Sequence, residues 1–235
     1  MQIKFTDNYE LKAMHWRCVT TLLRTTNCQL RTATTLIVAL LLLPNLLFAA
    51  PDNQENPPQP VLLLEPSFFH APISDLIPGA ERTVIVPALM KEEEGKPATI
   101  SFLQPSWQTS RHPFMKRFIE KARGTLSETL TTLHPKFLRD EHQVIQVAII
   151  ESSNPITAST ILAPNFTEQF VSIFGPEFLI AVPTANRIYV FSKLASPLNT
   201  LAPMIRDDYR LSASPLSTEI FELSHGQLRA VGSLD

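Results

Sequence analysis

Between Thr34 and Ala50 the chain reads TTLIVALLLLPNLLFAA without one charged residue, and this run limits how much of the 235-residue sequence can join a folded domain. Lys4, Lys12, Arg17, Arg24 and Arg31 precede it against only Asp7 and Glu10, and no basic residue follows until Arg82. That asymmetry holds the N-terminal side in the cytoplasm and sends the rest across. The run sits at the short end of the roughly 17–25 residues that span hydrocarbon. Pro44 breaks it near its end, which favours a cleavable signal peptide over a permanent anchor. The cleavage pattern is weak, because Leu47 and Phe48 are larger than an A-x-A site wants and Pro51 directly follows Ala50. Met14 offers a shorter start. On either reading the remainder is expected outside the cytoplasm, periplasmic or secreted. Residues 34–50 would be its only membrane contact, an inner-membrane anchor if uncleaved.

About 180 residues then remain, enough for one domain with a real core. Cys18 and Cys28 both precede the apolar run, so the exported part has no disulfide, no Cys-ligated zinc and no thiol nucleophile. A net charge of −2 with no clustered basic face argues against nucleic acid. Only 6 glycines stand against 20 prolines, and no G-x-G-x-x-G or Walker-type loop occurs. No cofactor is expected.

Residues 51–60 read as a proline-rich linker. Residues 61–110 read as short strands and loops, an arm or subdomain, with VLLLE at 61–65, TVIV at 83–86 and TISFL at 99–103 as strands. The charged stretch from Lys91 through Glu92, Glu93 and Glu94 to Lys96 is a solvated loop. From residue 111 a compact α+β domain is expected. Pro113 to Leu133 is a helix, with Phe114, Met115, Phe118, Ile119, Ala122, Leu126, Leu130 and Leu133 recurring at three- and four-residue steps on one face. QVIQVAII at 143–150 is a strand. Residues 165–174 form a helix in which Asn165 and Glu168 have capping-box spacing and Gly175 is the stop. Two strands, 177–183 and 187–192, flank a turn at Thr184–Asn186. Ser196-Pro197 opens another helix, which Pro203 should kink or shorten. The strands 219–223 and 227–231 close the chain as a hairpin. This order is a split β-α-β pattern, an antiparallel or mixed sheet with helices on one face.

Asn165-Phe-Thr-Glu-Gln-Phe170, the Phe174-Gly175 stop, Phe178-Leu-Ile-Ala-Val-Pro183 with a second strand at once behind it, and Ser214-Pro-Leu-Ser217 before Phe221 and Gly226 resemble the YtpQ-like bacterial proteins. That family is defined by a domain of unknown function, and the resemblance covers about residues 140–231. It implies an α+β fold rather than a chemistry, since fold does not fix function. The family often places Arg-Asp after Val-Pro. Here the stretch is Thr184-Ala185-Asn186-Arg187, so no role of an aspartate transfers.

Two places hold candidate chemistry. His134, Asp140, Glu141 and His142 fall within HPKFLRDEH and could bind a metal or move protons, although the segment reads as a loop of solvated charges. Asn186 and Arg187 lie in a strand-end turn, where a small ligand could bind. Asn186 also suits the turn geometry itself. Asp207 and Asp208 are adjacent on a helix and point to different faces. No serine has a G-x-S-x-G frame. The expectation is an exported, non-enzymatic binding or accessory module of the cell envelope, acting on an envelope protein or a small ligand. A hydrolase built around His134–His142 is the alternative. N-terminal sequencing of the protein recovered from its native cell fraction checks the export expectation. A mature N-terminus at or just beyond Pro51 is expected, whereas an intact leader would make residues 34–50 an anchor.

Overall fold

The computed structural model describes residues 57–106, 108–194 and 198–234, all within one compact unit. The expected signal peptide or anchor at 34–50, most of the expected 51–60 linker and the expected helix start at Ser196-Pro197 lie outside the described residues.

The first sheet joins β1 (Gln59–Pro66), β2 (Asp75–Leu76), β3 (Thr83–Lys91) and β4 (Thr99–Phe102) around the central β3. Val61, Leu62, Leu63 and Leu64 are all buried, so both faces of β1 are covered and the run has no polar alternation. Gln59 and Pro60, expected in the linker, already pair with Met90 and Leu89. Pro60 is tolerated because β1 has β3 on one edge only. β3 also runs beyond its expected end, through Pro87. Neither β2 nor β4 pairs with Pro87, which lies between the Val84–Ile85 and Ala88–Lys91 pairings. The Pro87 carbonyl accepts from Leu103 N on that side, so the missing N–H forgoes only the reciprocal bond to Leu103, just beyond the end of β4. Beyond β3, Glu93 pairs with Lys91 and Lys96 in the solvated loop expected there.

Helix α1 (His112–Thr132) follows and buries Phe118, Ala122, Leu126 and Leu130 at four-residue steps. β5 (Lys136–Arg139) was not foreseen in the sequence, because an exposed edge strand shows no apolar alternation. β6 (Ile145–Glu151) leads through a short 3-10 turn (Ala158–Leu162) to α2 (Phe166–Phe174). The expected capping box is absent. Asn165 has φ −87° and ψ 3° rather than an extended backbone, and its side chain makes no cap bond. Gly175 ends α2 at φ 85°, as expected. β7 (Glu177–Thr184), β8 (Arg187–Ser192), α3 (Leu198–Leu211), β9 (Glu219–Ser224) and β10 (Gln227–Ser233) complete the chain. α3 is continuous through Pro203. The last hairpin turns through His225 and Gly226, both at positive φ (51° and 75°), as a two-residue primed turn requires.

The second sheet has the order β10-β9-β7-β8-β6-β5, all antiparallel between neighbours. β6 and β7 are therefore parallel with β8 between them and connect through α2. β8 and β9 are likewise parallel around β7 and connect through α3. The α+β class and the split β-α-β order stand. The expected placement of the helices on one face does not. Both crossovers step the same way across the sheet from strands of opposite direction, so crossovers of one hand must use opposite faces. α2 accordingly buries Phe166, Phe170 and Phe174 in the core with Phe178, Ile180 and Val190, whereas α3 buries Leu201 and Ile205 against Val147, Ala181, Tyr189 and Phe191.

The two sheets share the larger core and are also tied by polar contacts. Ser159 Oγ accepts from Leu64 N at 2.9 Å, covering part of the open edge of β1. The carboxylate of Glu219, which is 4% exposed, accepts from Glu81 N at 2.6 Å, Arg82 N at 3.2 Å and Thr83 Oγ1 at 2.6 Å. Gly79 lies so close to β10 that a Cβ there would sit 2.5 Å from the Ala230 carbonyl oxygen. Glu219→Ala removes the charged acceptor of these three donors, and urea unfolding should show a loss of about 3 kcal/mol.

Candidate functional site

The turn at Thr184–Asn186 stands where the sequence placed it, and its polar atoms are used within the fold. Asn186 Oδ1 accepts from the Thr184 hydroxyl at 2.7 Å, and its carbonyl accepts from Ser152 N. Arg187 spans two elements, donating to Asp208 Oδ1 of α3 at 2.8 Å and to Glu151 Oε1 of β6 at 2.7 Å. The Tyr189 hydroxyl donates to the other oxygen of Asp208. The hydrogen bonds to Asp208 and Glu151 raise the Arg187 pKa further, and burial followed by the Asp208 contact pushes the Tyr189 phenol well above its ordinary range. This network docks α3 on the sheet. Asn186 and Arg187 therefore both have internal partners.

The segment His134–His142 does not converge. His134 precedes β5 and His142 follows it in the next turn, so a four-residue strand, roughly 13 Å long at the usual rise, separates them. Asp140 shapes that turn. Its carboxylate accepts from His142 N and Val144 N at 2.9 Å and from Gln146 Nε2 at 2.9 Å, while Gln143 takes a positive φ of 64°. His142 and Glu141 are solvent-facing. Among the described residues no group of three or more His, Cys, Asp or Glu side chains is placed to hold a metal.

Two concavities have the chemistry of binding sites, and neither was singled out in the sequence. The larger, about 700 Å³, lies along the first turns of α1. The apolar stripe of that helix outruns its cover. Phe118 is buried, but Phe114, one turn earlier and 6.2 Å away between ring centroids, is 37% exposed. Phe114, Phe118, Leu89, Leu103 and Pro60 line the groove, with the cations Arg111, Arg117 and Lys121 at its margin. Arg117 and Lys121 recur on this side at one-turn spacing. Both are exposed, and neither forms an ion pair among the described residues. The long stripe was legible in the sequence, but where its cover ends depends on the sheet.

The second, about 280 Å³, opens where the end of β1 meets the turn at Ala185. Glu65, Phe68, Phe69, Pro155, Ser214 and Pro215 are among its walls. Phe68 and Phe69 are stacked at 5.0 Å between centroids and are 61% and 58% exposed. Among the described residues nothing donates to or pairs with the Glu65 carboxylate, and burial raises its pKa. An aromatic pair outside any periodic segment was the available signal.

Among the described residues no helix is long and apolar enough to cross a membrane. No family model matches the chain, and neither a curated protein nor a solved structure matches it significantly.

A carboxylate whose folded pKa lies above its unfolded value binds its proton more tightly when folded. Its ionisation therefore lowers stability as pH rises from the ordinary carboxylate range through the raised value. Glu65→Gln should be more stable than the parent at about pH 7, and the gap should close by about pH 4. Paired urea titrations at the two pH values check this, with the parent cancelling the other carboxylates.

Proposed function

We propose that the chain is an exported, non-enzymatic binding module of the cell envelope, and that its α1 groove takes a single-chain anionic amphiphile. The observation carrying the reading is the pairing of an open apolar trough with two uncommitted cations at its margin. Burial of an alkyl chain against Phe114, Phe118 and Leu89 supplies the affinity, and Arg117 and Lys121 select a negative head. Dimensions support this, because about 700 Å³ falls within the range of small-ligand sites. Export is part of the same proposal and rests on the asymmetric charges around residues 34–50. Kinship with the YtpQ-like proteins rests on the residues quoted above and brings no activity with it. The hydrolase alternative is not carried forward, since His134 and His142 stand at opposite ends of β5 and the carboxylate of Asp140 is occupied by its own turn.

The test is titration of the full chain with laurate, with dodecanol as its uncharged counterpart. Saturable laurate binding is expected. The double variant Arg117→Glu with Lys121→Glu should weaken it about tenfold or more and leave dodecanol binding nearly unchanged. Both substitutions are on exposed positions, so folding should survive. Absence of saturable laurate binding, or equal binding by the charge-reversed protein, sinks the proposal.

A further inference from the structure

The geometry points to a second, separate site: the cleft of Glu65, Phe68 and Phe69 binds a small quaternary ammonium group. Five segments of the chain converge there: the end of β1 with the Phe68–Phe69 turn, Ile100 of β4, residues 155–159, the Ala185 turn and residues 213–216. Among the described residues on its walls, Glu65 is the one ionisable side chain. Among the described residues no Lys, Arg or His on the walls compensates it and no hydrogen bond reaches it. Half-burying a carboxylate without a partner is unfavourable, so the fold leaves a negative charge that a bound cation would balance.

The two phenyl rings define which cation. Each ring face carries the negative part of its quadrupole, and a cation near such a face is attracted to it. Phe68 and Phe69 stack on one another at the cleft wall, each therefore using one face on its neighbour, and over half of each residue stays exposed. A compact, strongly hydrated metal ion would need several oxygen ligands, and the walls bring one carboxylate. A weakly hydrated, permanently charged alkylammonium needs only one counter-ion and apolar surface, which is what Glu65, the two rings, Pro155 and Pro215 provide. The volume of about 280 Å³ matches a small head group rather than a long chain.

Choline titrated into the full chain, followed by calorimetry, tests the site. The control is 3,3-dimethyl-1-butanol, which replaces the nitrogen by carbon at equal shape. Saturable choline binding is expected, weakened about tenfold or more by Glu65→Gln and by the pair Phe68→Ala with Phe69→Ala. The neutral analogue should also bind about tenfold or more weakly. Glu65→Gln removes an unpaired charge, so it keeps the fold, and urea unfolding verifies that. Vesicles of phosphatidylcholine against phosphatidylglycerol separate the sources. Choline binding without vesicle binding assigns a free solute, and selective binding of phosphatidylcholine vesicles assigns a lipid head group. No saturable binding of choline or of phosphatidylcholine vesicles, equal binding of choline and its neutral analogue, or choline binding unchanged in Glu65→Gln overturns the inference. Laurate binding is expected to be the same in every one of these variants, which keeps the outcome independent of the α1 groove.

Discussion

A single buried carboxylate holds the loop before β3 to the second sheet. Glu219 lies at the start of β9, and its partners at residues 81–83 are more than 130 positions earlier in the chain. Closing so long a separation is entropically costly, although the cost grows only slowly with length. The contact is effective because one ion accepts from two backbone N–H groups and from the buried Thr83 hydroxyl at once. Ser217 reinforces it, accepting from Glu219 N at 3.0 Å and lying 2.7 Å from Thr83 Oγ1. The close approach of Gly79 to β10 depends on the same closure, as does the Pro78 carbonyl's bond from Ala230 N. With no cysteine beyond residue 28, this charge-assisted cluster makes the long-range tie without a covalent link.

The opposite placement of α2 and α3 sets the character of each face of the second sheet. On the α2 side the helix, the 3-10 turn and the first sheet build one large apolar core, in which Phe166, Phe170 and Phe178 contact one another at centroid distances of 5.0 to 6.3 Å. On the α3 side the apolar patch is smaller and is bordered by ions. Asp208, Arg187 and Glu151 join α3 to the sheet, while Lys193 and Arg229 flank the buried Glu222. Hydrogen bonds from Lys193 and then Arg229 hold the Glu222 carboxyl below its usual range. Arg187 thus acts first as a structural bridge, a role invisible in a sequence where Glu151 and Asp208 lie far from it.

Strong local patterns were legible. The four-residue steps of α1, the β-branched run of β6, the Val-Pro strand end and the His225-Gly226 hairpin all appear where the sequence put them, because each is specified by neighbours a few residues apart. What failed was set at long range. β3 passes Pro87 only because the two strands on that side leave a gap at that point. β5 has no pattern because it is exposed throughout. The face used by α3 follows from strand order, which no local pattern encodes. The candidate residues followed the same rule. His134, Asp140 and His142 are near one another in sequence yet are spread over a strand and its turn. Glu65 gains meaning only from the cations missing around it in three dimensions.

The two concavities lie toward opposite ends of one strand. Pro60 borders the α1 groove and Glu65 the aromatic cleft, five residues apart, or roughly 17 Å at the rise of an extended chain. Between them Val61–Leu64 are buried, with Leu63 and Leu64 forming part of the floor of the aromatic cleft. Their chemistry is complementary in sign, cations around an apolar trough in one and an anion beside phenyl faces in the other. One small ligand could not satisfy both, and a reaction between bound groups across a packed strand has no path. The proposed amphiphile groove and the proposed ammonium cleft therefore call for two different ligands, one at each end of β1.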